Sequence, residues 1–483
     1  MIVLKFGGTS VGDAERVREA ARIVEAQPVP RAVVVSAASG VTNLLLEAGR
    51  AAAAGDAARQ AEAVAAIRAK HANVLAGVAD EAERLRAQVD LDQLHAALDD
   101  ALAAVAARHE LPNDLSDRIV ATGEKAMSVM LAATLRARGT AAAHVFADRV
   151  VATDDRHGAA RPDRVRTREQ AAAVVRPLLD AGQTVVVTGF IGGAPDGSTT
   201  TLGRGGSDYT ATLLGAALDA CEVQIWTDVP GVLSADPRQV ADARVVPQVS
   251  YDEAQELAHF GAKVLHPRTI RPAVTRGIPV RILSTFAPDA PGTRVTRDAD
   301  GDSVKAVTAL NNLLLLAIDV PELEDLAAAA ATVFGRLHDD RIEIVAVSQA
   351  SSRRRMTWLV DAAAHGGCAR VSKRLEDALE DAGVDAEVRC MEDVALVAAV
   401  GRGAAAHPQA IARMLDVLGR AGVKVLSSSL QHSNVALTAV VPAVHAERAV
   451  RALHDAFIAP QPATARGRRP RRSELLAESL RVG

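Results

Sequence analysis

Lys5 ends a short apolar run and stands just before Gly7 and Gly8, in the sequence KFGGTSV at residues 5–11. A strand that ends in a lysine and two glycines brings backbone N–H groups close to an anion, because glycine lacks a Cβ and tolerates unusual dihedrals. The chemistry on offer is phosphate binding, and the plain alternative is an ordinary turn after a strand. Residues 202–209, LGRGGSDY, repeat the design with Arg204 in place of the lysine and Asp208 added. Two such loops point to a site that handles two anions.

The common phosphate-binding devices are disfavoured, since the sequence has neither a Walker A motif nor a protein-kinase catalytic loop. Lys5 instead offers a point charge for ATP phosphates, with Gly7 and Gly8 letting the backbone approach. Asp208 falls in the first turn of an expected helix at 207–219. It either favours the dipole there or orients the Lys5 ammonium and helps hold Mg²⁺, and the two roles are compatible. Arg204 sits between glycines, where a planar guanidinium can grip a carboxylate through two parallel hydrogen bonds. Residues 36–43, SAASGVTN, offer hydroxyls at Ser36, Ser39 and Thr42, which serve either as helix caps or as substrate contacts. Glu124 follows a glycine in ATGEK, residues 121–125, and reads as a solvated charge or as the partner of a substrate ammonium. A carboxylate does nothing for phosphate, so Glu124 and Arg204 together suggest an amino-acid substrate.

These loops need a scaffold. The β-branched runs at 31–36, 184–190 and 222–228 suit buried parallel strands, and helical patterns at 14–26 and 207–219 lie between them, which implies an α/β domain. Residues 49–110 are alanine-rich with charges interspersed and should form a long helical insertion with a solvated face. The Pro-, Gly- and Asp-rich stretch 287–302 reads as a linker. Beyond it the order strand, helix, strand, strand, helix occurs twice, at 313–318, 323–338, 342–347, 356–360 and 371–382, then at 395–400, 408–421, 423–427, 435–441 and 446–456. That is an internal repeat of small α+β units. The arginine-rich stretch 460–483 reads as a disordered tail.

With 483 residues, 49% hydrophobic and 24% charged, the chain has room for two or three ordinary globular domains. A formal net charge of -4 argues against nucleic-acid binding, which rests on a basic surface. No run approaches the ~18 apolar residues of a membrane helix, and the chain enters a strand directly, so a cytoplasmic protein is expected. Cys221, Cys368 and Cys390 are scattered, with neither metal-ligand spacing nor a disulfide framework, and read as core thiols of a reducing compartment.

Taken together, KFGGTSV, SAASGVTN, the Gly123–Glu124 pair, LGRGGSDYTA, WTDVPGV, DPR and FGAKVLHP resemble the aspartate kinase family, from residue 1 to about 457. The resemblance implies an amino-acid kinase fold, an open α/β/α sandwich, over 1–286, followed by α+β ACT domains at 303–390 and 391–458, either interleaved or strung in sequence, and the tail 459–483. It implies transfer of phosphate from ATP, with Mg²⁺, to the side-chain carboxylate of L-aspartate, the first step toward lysine, threonine and methionine. By the same resemblance Lys5 contacts the phosphates beside Gly7 and Gly8, Ser36, Thr42 and Glu124 meet the aspartate, Arg204 holds its carboxylate, and Asp208 organises the lysine and the metal. Thr227, Asp228, Arg238, Lys263 and Val264 fall where the family binds ATP, and Leu233 stands where many relatives carry a tyrosine near the adenine. Another acidic amino-acid kinase of the same fold, acting on glutamate for example, and a catalytically weak sensing protein are the alternative readings. The presence of Lys5, Arg204 and Asp208 speaks against the second.

Residues 348–355, SQASSRRR, are similar to the effector segment of threonine-sensitive aspartokinases fused to homoserine dehydrogenase, with Gln349 at the effector-contacting position. Arg353, Arg354 and Arg355 should repel cationic lysine, which makes threonine the better expected effector. No dinucleotide-binding fingerprint of a dehydrogenase is present. ACT units commonly assemble between subunits, so the resemblance implies a homo-oligomer.

Overall fold

The structure is a computed structural model that describes residues 1–261, 267–299, 301, 303–350, 354–361, 366–402, 409–429 and 435–458. Lys263, Val264, Arg353 and the tail expected at 459–483 lie outside the described residues.

The chain opens with β1 (Ile2–Phe6), α1 (Ala14–Glu25) and β2 (Arg31–Val35), then runs through four helices, α2 (Val41–Ala54), α3 (Ala57–Ala76), α4 (Glu81–Arg108) and α5 (Asn113–Ala137). Next come β3 (Ala142–Val145), α6 (Arg164–Val174), α7 (Arg176–Asp180), β4 (Thr184–Thr188) and the short strands β5 (Ile191–Gly193) and β6 (Thr199–Thr201). The catalytic-side elements finish with α8 (Gly206–Ala217), β7 (Glu222–Thr227), β8 (Gln248–Ser250), α9 (Tyr251–His259), α10 (Pro267–Arg276), β9 (Val280–Ser284) and β10 (Thr293–Thr296). Eight of these strands form one sheet in the order β3-β4-β2-β1-β7-β9-β10-β8, and only the β9–β10 pair is antiparallel.

Successive side chains of a strand point to opposite faces, and β1 shows the consequence. Ile2, Leu4 and Phe6 enter the core that α1 to α5 cover, whereas Val3 enters the core that holds α8. Lys5 shares the parity of Val3 and so faces α8. The helical insertion is three helices, α2 to α4, rather than one. Asp56 and Asp80 cap α3 and α4 by accepting hydrogen bonds from the amides of Arg59 and Glu83. Leu91, Leu98, Leu102 and Val105 line the buried side of α4, at the three- and four-residue intervals of one helix face. Burying each such side chain is worth roughly 1.5–3 kcal/mol, which is how an alanine-rich, charged segment still packs.

The stretch expected as a linker supplies a strand. Burial alternates along residues 293–296, with Thr293 and Val295 buried and Arg294 exposed, and β10 joins the first sheet between β9 and β8.

The C-terminal region comprises β11 (Ala306–Asp319), α11 (Leu326–Asp339), β12 (Glu343–Ala350), β13 (Arg355–Asp361), α12 (Gly367–Asp381), β14 (Glu387–Val400), α13 (Ala410–Arg420), β15 (Ser427–Ser429), β16 (Ala436–Pro442) and α14 (Ala443–Phe457). The repeated order is present, although the strand expected at 423–427 starts only at Ser427. Its six strands form an antiparallel sheet in the order β12-β13-β11-β14-β16-β15. The long strands β11 and β14 pair along their whole length, and each end serves a different core. Val307 packs with Val397 and Leu453, whereas Leu316 packs with Trp358 and Leu375.

The cysteine reading needs correcting. Cys221 is exposed, and Cys368 on α12 is bonded to Cys390 on β14, with Cα atoms 5.6 Å apart. Cys368 stands at the start of α12 and Cys390 lies 22 residues on in β14, so the disulfide ties the start of the helix to the strand that follows it, a contact that spacing along the chain conceals. No helix among the described residues is long and apolar enough to cross a membrane.

Candidate active site

The first two strands end side by side. The Ser36 amide donates to the Phe6 carbonyl at 3.1 Å, and the Ser39 amide to the Gly8 carbonyl at 3.1 Å, so the loops after β1 and β2 are stitched together. A Cβ on Gly8 would lie 2.8 Å from the Ala37 carbonyl, which explains the glycine. This rim is the carboxyl edge of a parallel sheet, where open α/β folds bind ligands.

Lys5 is buried at the end of β1, and its Nζ lies 2.7 Å from Asp208 Oδ1 in the first turn of α8. Gly203 and Gly205 adopt left-handed φ values of +75° and +70° and lift Arg204 out of the chain just before that helix. Arg204 is exposed, and its guanidinium makes no ion pair or hydrogen bond among the described residues. Across from it, Glu124 on α5 is 4% exposed. Its Oε1 accepts the Ala37 amide at 3.2 Å, and its Oε2 is buried without a partner among the described residues. Burial pushes the Glu124 carboxyl up to about 8, against the smaller lowering effect of the Ala37 amide. Helix α2 begins at Val41 after Gly40, which has a left-handed φ of +82°, and its first-turn residues Thr42 and Asn43 line the same space.

Lys5, Ser36, Thr42, Glu124, Arg204 and Asp208 all line one cavity of about 590 Å³. Two cations, Lys5 and Arg204, and two carboxylates, Glu124 and Asp208, share its wall. Sequence reasoning missed the wall residue Phe190, which holds a left-handed φ of +69° that is costly for a bulky side chain. Its amide donates to Thr210 Oγ1 at 3.0 Å and its carbonyl accepts the Leu202 amide at 2.9 Å, which hold it there. Nothing in the local sequence signals that conformation.

Of the described residues expected around ATP, Lys5 and Gly8 line this cavity, whereas Gly7, Thr227, Asp228, Leu233 and Arg238 do not. Gly7 lies behind Lys5, and a Cβ there would sit 3.4 Å from Lys5 Nζ. Thr227 closes β7 beside β1, with its Oγ1 donating to Asp228 Oδ1 at 3.2 Å. Leu233 is half-buried and bridges to Val245, while Arg238 is exposed and forms an ion pair with Asp236 at 2.5 Å. Gln349 is exposed on β12, the edge strand of the second sheet, opposite Met356. Arg354 and Arg355 beside it are not free charges. Arg355 forms two hydrogen bonds to Asp319, at 2.6 and 2.8 Å, and Arg354 lies 3.4 Å from Glu322.

Comparison with known proteins agrees with this geometry. Residues 1–284 match the amino acid kinase family, and residues 397–457 match an ACT domain. The lysine-sensitive aspartokinase 3 of Escherichia coli is 34% identical over 94% of this chain and 98% of its own length. A chloroplastic bifunctional aspartokinase/homoserine dehydrogenase of Daucus carota is 32% identical over 94% of this chain, which spans 50% of that protein. The crystal structure of E. coli aspartokinase III in complex with aspartate and ADP superposes with a TM-score of 0.79 at 31% identity, covering 95% of this chain and all of that one. A lysine paired to a helix-start aspartate, a glycine-flanked arginine and a buried glutamate thus stand on the amino-acid kinase fold, and the chain belongs to the aspartokinase family, with aspartate kinase activity and a C-terminal ACT regulatory region.

Proposed function

We propose that the cavity holds aspartate between Arg204 and Glu124 and presents its side-chain carboxylate to an ATP phosphate met by Lys5. The observation that carries this reading is Glu124 Oε2, a buried carboxylate oxygen without a partner among the described residues, on the wall of the cavity that Lys5 and Arg204 also line. A substrate ammonium supplies the missing partner, and Arg204 grips a carboxylate in two-point fashion. Ser36 and Thr42 add hydroxyl contacts along the same wall.

The substrate carboxylate is ionised at neutral pH, so the transfer needs no general base. It needs positive charge that brings two anions together and stabilises the equatorial oxygens of the transferring group. Lys5 fills that role, and Asp208 keeps its ammonium aimed along the cavity. Among the described residues no cluster of three or more His, Cys, Asp or Glu side chains is arranged to hold a metal. Mg²⁺ therefore fits as an ion carried on the nucleotide phosphates, with Asp208 the carboxylate beside it. Thr227, Asp228 and Arg238, with Leu233 under the base, are proposed to take the rest of ATP along the neighbouring edge of the sheet.

The C-terminal region is read as two ACT units that share β11 and β14, so the boundary at 390 cuts one sheet rather than separating two. Edge strand β12 suits assembly with a second copy. The effector is proposed to bind near Gln349. With Arg354 and Arg355 engaged by acidic partners, like charge no longer argues against lysine, and the lysine-sensitive relative supports lysine over threonine.

An ADP-release assay that compares aspartate, glutamate and succinate tests the site. Succinate keeps both carboxylates but lacks the ammonium, so it should be a far poorer substrate than aspartate, because a buried polar group left unpaired costs heavily. Equal turnover of succinate would remove Glu124 from the role given to it.

A further inference from the structure

We infer that Asp117 is a positioning residue for the aspartate subsite, acting through Thr201 on the turn that carries Arg204. This rests on the reading of Arg204 as the carboxylate grip. Asp117 lies on α5, two turns before Glu124, and its side chain is 3% exposed. Its Oδ1 accepts the Thr201 hydroxyl at 2.5 Å. Its Oδ2 accepts the amides of Thr201 at 3.0 Å and Gly158 at 2.9 Å, and lies 3.0 Å from His157 Nδ1.

These bonds end where the Arg204 turn begins. Thr201 is the last residue of β6, and its carbonyl accepts the Ala160 amide at 2.8 Å, which ties in the 157–160 loop from the other side. That loop backs the turn directly, since a Cβ on Gly203 would lie 3.5 Å from the Gly158 carbonyl. Arg204 has no side-chain anchor of its own among the described residues, so the backbone of 201–205 alone aims its guanidinium. Helix α5 therefore sets both ends of the subsite. Glu124 meets the ligand directly, and Asp117 fixes Arg204 at a distance, removing the cost of ordering the turn on binding.

Asp117→Asn replaces an acceptor-only carboxylate with an amide whose NH₂ faces donors, so the turn loses its tether. The expected result is an aspartate KM raised about tenfold, with kcat and the ATP KM changed far less. Thr201→Val removes only the hydroxyl bond, and should shift the aspartate KM in the same direction even if Asp117→Asn folds poorly. The deciding measurement is a double-mutant cycle with Arg204→Ala. If Asp117 acts through Arg204, neither Asp117→Asn nor Thr201→Val raises the aspartate KM further in the Arg204→Ala background. Full additivity, or equal losses for both substrates, overturns the inference while leaving the Arg204 reading intact. An unchanged aspartate KM in Arg204→Ala alone overturns the Arg204 reading, and the inference falls with it.

Discussion

Asp117 and Glu124 occupy the same buried face of α5, seven residues apart, yet their carboxylates stand in opposite conditions. Asp117 has donors on both oxygens, whereas Glu124 has the Ala37 amide on Oε1 and, among the described residues, no partner on Oε2. The helix spends one carboxylate on shape and keeps the other ready for a ligand.

Glu124 should therefore make aspartate binding depend on pH. Its carboxyl is pushed up to about 8 by burial, and a substrate ammonium favours the ionised form, so binding at neutral pH releases a proton. The aspartate KM should fall as pH rises from about 6 to about 8, by up to about tenfold per unit, and Glu124→Gln should flatten that slope. The same group affects folding with the opposite sense. The unfolded chain releases the proton near the ordinary carboxylate value, while the folded chain keeps it until about 8, so stability falls as pH rises across that interval. Thermal melts of the ligand-free protein against pH should show a shallower decline in Glu124→Gln than in the parent.

Lys5→Ala should abolish most phosphoryl transfer while the fold survives, because Lys5 belongs to neither apolar core beside the sheet and its ammonium lies at the cavity wall against Asp208. Removing a charge that meets the transferring group costs several kcal/mol in the barrier, on the order of 10²-fold or more in kcat. Circular dichroism and a thermal melt establish folding before the rate is read. Near-parental turnover in the folded variant would move the phosphate site elsewhere.

The two halves of the site differ in how plainly the sequence displays them. KFGG and GRGGSD are local signals, in which a strand end or helix start and its glycines carry the geometry within a few residues. Lys5 and Asp208 could be paired on that basis because both motifs end at the same edge of a parallel sheet. Asp117 could not, since a lone aspartate gives no sign of a partner 84 residues away at Thr201. Phe190 is hidden for another reason, as its left-handed backbone is imposed by Thr210 and Leu202 from outside its own segment. The strand at 293–296 was masked by flanking Pro, Gly and Asp, where tertiary pairing with β9 overrode local composition.

A link between the edge proposed for ATP and the last helix was equally invisible. Ser234 Oγ accepts the Arg244 amide at 3.0 Å and lies 2.9 Å from His454 Nε2 on α14, while Arg451 Nε donates to the Gln239 carbonyl at 2.6 Å. Ser234 accepts one hydrogen bond, and its own proton is free to go to a neutral His454. Burial lowers the His454 pKa, more than Asp455 raises it. His454→Ala should raise the ATP KM more than the aspartate KM and cost about 1–3 kcal/mol of stability at neutral pH. Because the unfolded histidine takes up a proton that the folded one resists, the parent loses stability as pH falls below about 6.5 and the variant does not. The stability gap between them should narrow from pH 7.5 to pH 5.5, and a gap that stays constant would deny His454 its neutral, accepting role.

Regulation supplies the last test. Three consecutive arginines beside Gln349 argue for threonine if their charges are free, because an exposed like charge repels lysine. Arg355 is instead held by two hydrogen bonds to Asp319, and Arg354 lies beside Glu322, so these two arginines bring compensating carboxylates into the neighbourhood. Lysine should then inhibit at lower concentration than threonine when each is titrated against the kinase rate. Gln349→Ala should weaken that inhibition without changing the uninhibited rate, since Gln349 stands on an exposed edge strand outside the catalytic cavity. Asp319→Asn releases Arg355 and restores its charge to the surface, so it should shift the balance back toward threonine. Stronger inhibition by threonine in the parent protein would show that the arginines govern effector choice despite their partners, and no response to either amino acid would leave Gln349 without an effector to contact.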